Sequence, residues 1–233
     1  MKRYLAWMCL TMLVACSSPS KQGNMVVNGT IKNLKKGTLY LQKMQDSVLV
    51  SVDSIALLGN DSFTLTDDVS SPEMYYLTFD GNTSEKRILF FGEKGIITIT
   101  DNLEKFGVKP VIQGSRNQIV MDEYKKMMIQ FQNLQLDLYE ADFEARLKKN
   151  TRKSDSLRKV SEALIRKQYL YSSNFALTKT DYEAAPYIAL TDLVNANVKL
   201  LDTIYVSLSK DVKASMYGKK LENFIQDIKK NEP

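Results

Sequence analysis

The sequence predicts an α+β fold: an N-terminal antiparallel β-sandwich or open barrel over residues 25–114, then an antiparallel helical domain over 115–233. Three observations carry this expectation. Short apolar segments alternate at period two through the first half. Turn residues separate them, with no room for crossover helices. Near Gly114 the apolar period changes to that of a helix. With 233 residues, 44% apolar and 25% charged, the chain has the composition of a folded protein rather than a disordered one.

The strands follow in order. Met25, Val27 and Ile31 alternate with Val26, Asn28 and Thr30. Thr38–Leu41 and Val48–Ile55 come next. Gly59-Asn60 tolerates positive φ and predicts a hairpin between the segment ending at Leu58 and Ser62–Thr66. Met74–Phe79, Arg87–Phe91, Ile96–Thr100 and a short segment around Val111 complete seven or eight strands.

After a Ser115 cap, Val120, Tyr124, Met127, Phe131, Leu134, Leu138, Ala141 and Ala145 recur at gaps of three and four, a helical seam. The seam can serve as a partner surface or pack within its own bundle. Lys148–Ser156 reads as a turn. A second helix carries Leu157, Val160, Leu164, Tyr171 and Phe175. A third begins near Pro186, which suits a first helical turn. Leu201, Tyr205 and Leu208 mark another, and Tyr217, Leu221, Phe224 and Ile228 a last short one.

Ahead of the body lies a leader. Lys2 and Arg3 precede a twelve-residue apolar stretch, Tyr4–Ala15, which as helix spans only about 18 Å against a hydrocarbon core of about 30 Å. That reads as a signal peptide (residues 1–15) rather than a span. Leu13-Val14-Ala15-Cys16 looks like a lipobox, with small Ala15 admitting the peptidase and the Cys16 thiol accepting diacylglycerol. Residues 16–24 form a lipidated tether. The eight residues Ser17–Asn24 reach at most about 28 Å. By likeness to other lipoproteins, Ser17 lacks the retaining Asp and the tether lacks an acidic export cluster. The expected location is the periplasmic face of the outer membrane.

Composition closes several chemistries. The sequence has no histidine, and its only cysteines are Cys9 and Cys16, so a mature chain keeps one lipid-blocked sulfur. No cofactor, metal or catalytic residue is assigned. The net charge is +5, and +3 once Lys2 and Arg3 are taken off with the leader (30 basic against 27 acidic residues), too small to argue for nucleic acid. Asp53-Ser54 can bind a polar ligand or satisfy backbone groups. Tyr75-Tyr76 can present an aromatic on a binding face, although strand alternation turns one of the two inward. The basic run Arg146, Lys148, Lys149, Arg152, Lys153, Arg158 and Lys159 can meet anionic headgroups or lie solvated, diluted by Glu144, Asp155 and Glu162.

Several short stretches also carry a family resemblance: Val27–Ile31, Val52–Ile55, Phe63–Leu65, Glu93–Ile99, Gly114-Ser115 and Ser215–Leu221. Together they resemble the N-terminal domain of unknown function (DUF4369-like) and helical segment of Bacteroidetes thioredoxin-like lipoproteins (AhpC/TSA, TlpA-type). In that family a thioredoxin domain with a Cys-x-x-Cys pair follows; this chain stops at Pro233, where it would begin. No family catalytic residue carries over. The resemblance implies a non-catalytic, membrane-anchored binding or scaffold module. The alternative is an accessory subunit for a separate thioredoxin-like thiol-disulfide oxidoreductase, working in trans as its envelope partner.

Overall fold

A computed structural model describes residues 23–80 and 82–231, without the side chains of 82–86. Ala15, Cys16 and the rest of the leader lie outside the described residues. Eight strands come first: β1 (Met25–Lys32), β2 (Lys36–Gln45), β3 (Val48–Leu58), β4 (Ser62–Asp67), β5 (Glu73–Phe79), β6 (Asn82–Gly92), β7 (Gly95–Asn102) and β8 (Val111–Gln113). Six helices follow: α1 (Arg116–Leu147), α2 (Thr151–Thr178), α3 (Ala184–Thr191), α4 (Val198–Ser207), α5 (Lys210–Ala214) and α6 (Met216–Asn231). No helix among the described residues is long and apolar enough to cross a membrane.

The strands form two four-stranded sheets, β4-β1-β7-β8 and β3-β2-β5-β6, mostly antiparallel and not closed into a barrel. Alternation fills the space between them. Met25, Val27 and Ile31 from β1 meet Leu39 and Leu41 from β2, Tyr75 and Leu77 from β5, and Ile97 and Ile99 from β7, all fully buried. Burying one such side chain contributes about 1.5–3 kcal/mol, so this inward row is the main driving force of the sandwich.

Two features depart from local expectation. β1 pairs with β7 in parallel, from Met25↔Gly95 to Lys32↔Asn102. No crossover helix is needed, because the intervening strands themselves carry the chain across the sandwich and back. Second, Gly59-Asn60 does not close a hairpin. β3 pairs with β2, whereas β4 pairs with β1 in the opposite sheet. Gly59, at φ 86°, turns a corner between sheets, and Asn60 Oδ1 accepts from Ser62 N. Phe63 and Leu65 must point into the core, and β4 does so as an edge strand of the facing sheet. β3 instead forms a hairpin with β2, closed at Gln45↔Val48 with Asp46 at φ 55°.

Helices cover the outer face of β5 and β6. Met74, Leu89 and Phe91 point outward onto Val120, Met121 and Tyr124 of α1, Phe175 of α2, Ile188 of α3 and Tyr217 of α6. Phe91 sits edge-on to Tyr187 and Tyr217, with ring centroids 5.6 and 6.0 Å away. A further core, including Leu201 and Leu221 of α4 and α6 and Leu193 and Leu208 from the turns after α3 and α4, lies wholly within the helical domain.

Ser115 caps α1 as its residue type predicts, accepting from Gln118 N. The turn after α1 is shorter than Lys148–Ser156. Asn150 caps α2 by accepting from Lys153 N, so the helix restarts at Thr151. Pro186 falls in the first turn of α3. The seam packs as a bundle only near its start. Beyond Met128, α1 buries only Ala145, and α2 buries nothing before Ser172. Residues 129–171 are therefore an arm of two antiparallel helices. Gln135 bonds Ser161 at 2.7 Å, and Ser154 bonds Asp142 nearer the tip. Leu134, in the middle of the expected seam, is 50% exposed.

Candidate functional site

Among the described residues, a large cleft opens where α1 leaves the sheet. It holds about 600 Å³, within the range of about 300–1,000 Å³ usual for ligand sites. One wall is α1, presenting Gln118, Asp122, Lys125, Lys126, Ile129 and Gln130. The other is Arg87 and Leu89 from β6, the loop Gly107–Pro110, and Ile112 from β8. Gly107 brings the loop close: at φ 80°, an added Cβ would lie 2.4 Å from the Arg87 carbonyl oxygen. Its N–H donates to Asp101 Oδ2 at 2.7 Å, which fixes the loop against β7.

The cleft combines an apolar lining with converging cations. Leu89, Val108, Pro110, Ile112 and Ile129 supply the apolar surface, and Arg87, Lys109, Lys125 and Lys126 the charge. Arg87 stacks over Tyr76 at 5.2 Å. Asp122 is the one acid among the described residues of the lining, and it accepts from Gln118 Nε2 at 2.7 Å. Gln118 also accepts from Phe91 N at 2.8 Å, so the wall is bolted to β6. Burial lowers the Lys125 pKa, with the Asp122 charge opposing that shift. Lys109, Lys125 and Lys126 form no ion pair among the described residues.

Two other polar clusters are closed. Inside the sandwich, Lys43 Nζ lies 2.7 Å from Asp67 and 3.2 Å from Glu73, and the Tyr75 hydroxyl donates to Asp67 at 2.6 Å. Burial raises the Glu73 and Tyr75 pKa values, with Lys43 countering the rise at Glu73 and the Asp67 hydrogen bond adding to that at Tyr75. Asp67 is held below its ordinary value: burial pushes up, but the bonds from Lys43 and Tyr75 prevail. At the β–α junction, Asn117 Nδ2 donates to Glu93 at 2.9 Å and to Glu183 at 2.8 Å, and Asn117 Oδ1 accepts from Ala184 N. Arg116 N donates to Glu93 as well.

The residues singled out from sequence do not converge on one site. Asp53 accepts from Ser54 N at 2.9 Å and from Thr66 N at 2.8 Å, tying β3 to β4 across the sheets. Ser54 is exposed. Tyr75 is fully buried in the ionic cluster, whereas Tyr76, one residue on, faces the helical side and carries Arg87. The tether and Cys16 are outside the described residues. Sequence reasoning missed the cleft cations. Lys109, Lys125 and Lys126 carry no motif, and only the fold brings residues 87, 107–112 and 118–130 together.

Residues 25–121 match the model of the family described as Domain of unknown function (DUF4369). The match takes in all eight strands and the first turns of α1, including Asn117 and Gln118. The strand wall of the cleft therefore lies inside the DUF4369 region, whereas Asp122 to Gln130 lie beyond it. No curated protein and no solved structure matches the chain.

Proposed function

We propose that this protein is a non-catalytic envelope lipoprotein, anchored through Cys16, whose cleft binds an anionic ligand with an apolar part. The observation that carries the ligand class is the meeting of Arg87, Lys109, Lys125 and Lys126 over an apolar lining. A carboxylate, phosphate or sulfonate headgroup satisfies the lysines. Leu89, Val108, Ile112 and Ile129 then cover the apolar remainder, as in small-molecule sites generally. A cationic cleft also attracts an anion before contact, and salt weakens that attraction. Anchoring rests on the charged leader, the short apolar stretch and the Ala15-Cys16 junction. The non-catalytic reading rests on a sequence without histidine and with a single cysteine after the junction.

Titration of the mature protein with anilinonaphthalene sulfonate, an anionic aromatic, tests the cleft. Binding is expected to weaken with salt and in a Lys125→Gln/Lys126→Gln variant. Equal affinity for the variant rejects the cleft as the site. Separately, Cys16→Ala is expected to release the protein from the membrane fraction, and mature protein is expected to lack the emission of Trp7, the only tryptophan.

A further inference from the structure

The arm formed by α1 and α2 segregates charge. Residues 127–145 of α1 hold four acids and no base, whereas residues 151–168 of α2 hold six bases and two acids. Ion pairs within the arm run inside single helices: Arg146 to Asp142, Lys148 to Glu144 and Arg158 to Asp155. None joins the acids of α1 to the cations of α2 there: Asp137, Lys153 and Lys159 form no ion pair among the described residues, and Glu144 has only the exposed 3.7 Å contact to Lys148.

Apolar surface accompanies them. On α1, Leu134, Asp137, Ala141 and Glu144 recur at gaps of three and four and form one line beside the α1–α2 seam. On α2, Lys153, Val160, Ala163 and Lys167 form another. Helical geometry puts both lines on the same side of the antiparallel pair, away from Gln118 and Met121, which meet the sheet. Leu134 and Val160 are each 50% exposed.

We propose that this side of the arm binds a second copy of the chain through a two-fold axis along the arm, forming a four-helix bundle. Charge selects that axis. A two-fold across the arm would lay the acidic line of α1 antiparallel over the same line of its copy, so that Asp137 and Glu144 meet like charges. A two-fold along it sets α1 of one copy over the α2 of its partner. The bonds Gln135–Ser161 and Asp142–Ser154 define which residues of the two helices share a level. The axis preserves that level, so Glu144 meets Lys153 and Asp137 meets Val160 beside Lys159. Leu134, Ala141, Val160 and Ala163 fill the centre, and the small alanines allow close approach.

The same axis suits an anchored protein. Gly95 N donates to Asn24 O, and Glu93 accepts from Arg116 N, which places the end of the tether near the start of α1. Both copies then present their tethers at the same end. This second argument rests on the anchor proposed above, whereas the charge argument does not.

Sedimentation velocity of the full-length gene product, purified in density-matched mild detergent, tests the proposal. The wild type is expected at twice the monomer mass. Asp137→Lys/Glu144→Lys and Lys153→Glu/Lys159→Glu are each expected to weaken association at least about hundredfold, since like charges across an interface cost several kcal/mol. Mixing the two variants is expected to restore a dimer, because each reversed α1 then meets a reversed α2. Circular dichroism establishes that each variant is folded. A monomeric wild type at about 100 µM, far above the Kd of a standard interface, overturns the proposal. So does a variant that stays dimeric, or a mixture of folded variants that stays monomeric.

Discussion

Lysines stand in opposite conditions at two places in this molecule. Lys43 sits among Asp67, Glu73 and Tyr75, within 2.7–3.2 Å of each, and its neighbours raise its pKa despite burial. Lys125 lines an open cleft, forms no ion pair among the described residues, and has its pKa lowered by burial against the opposing charge of Asp122. The first cluster is complete and has nothing left to bind. The second holds charge that the fold has desolvated and not neutralised, and such a site gains when an anion arrives. The difference separates a structural ion cluster from a binding site without appeal to any motif.

The largest expected effect tests the closed side of that comparison. Lys43→Met strands Asp67 and Glu73 without their cation and is expected to cost about 3–5 kcal/mol, the range for breaking a buried pair from one side. Lys125→Met removes an unpaired, partly buried charge and is expected to change stability by under about 1 kcal/mol. Urea denaturation midpoints at unchanged m values measure both. If the two substitutions cost the same, the distinction between the clusters fails.

Neither cluster was legible before the fold was known, and the reasons differ. Strand alternation correctly turned one residue of Tyr75-Tyr76 inward, but Lys43, Asp67, Glu73 and Tyr75 come from β2, β4 and β5. Their meeting depends on two sheets packing. The Ser115 cap and the change of period near Gly114 were readable because capping and periodicity act within a few residues. The Gly59-Asn60 corner misled for a related reason. Its chemistry permits a turn but does not say whether the next strand joins the same sheet, and the β1–β4 pairing decides that. The seam was over-read towards the tip, because periodicity shows which residues share a face but not whether anything covers it.

Next in size is the junction that holds both walls of the cleft in register. Asn117→Ala removes the donor shared by Glu93 and Glu183 and the acceptor for Ala184 N. An unsatisfied buried polar group costs about 1–3 kcal/mol, so a loss of about 2–3 kcal/mol is expected in thermal or urea unfolding. Asn117→Asp is expected to do worse, since it sets a third carboxylate between two others. A harmless Asn117→Asp would show that water reaches this junction freely.

Smaller again is the cleft itself. Lys125→Gln/Lys126→Gln is expected to weaken anilinonaphthalene sulfonate binding about tenfold, or about 1.4 kcal/mol. Lys43→Gln is expected to leave affinity unchanged in whatever fraction remains folded. Because the Lys125 pKa is lowered, its share of the affinity disappears at a lower pH than an ordinary lysine's would. The wild type should therefore lose part of its affinity below the pH at which an ordinary lysine gives up its proton. A fluorescence titration across pH, compared with Lys125→Gln, isolates that component. Coincident pH profiles would remove Lys125 from the site.

The smallest effect concerns the phenol of the closed cluster. Burial and the Asp67 bond raise the folded Tyr75 pKa above its ordinary value of 10.0. Above that value the unfolded chain releases the proton and the folded chain keeps it, so the unfolded state binds fewer protons and stability falls as pH rises. Between pH 9 and 10.5 one such phenol contributes a loss of about 0.8 kcal/mol. Tyr187 shares this behaviour, its pKa pushed up to about 12 by burial, and the buried Tyr124 and Tyr217 shift the same way. Lys43, raised above 10.5, adds its own loss at higher pH. Tyr75→Phe lowers stability at neutral pH by removing the bond donated to Asp67 and the bond accepted from Lys43, so the informative quantity is the slope. Its unfolding free energy is expected to fall more gently than the wild type's between pH 9 and 10.5, whereas Lys125→Gln falls more steeply, because it removes a lysine that the folded state deprotonates first. Parallel slopes for wild type and Tyr75→Phe would mean that solvent reaches the phenol, and that the cluster is as open as the cleft.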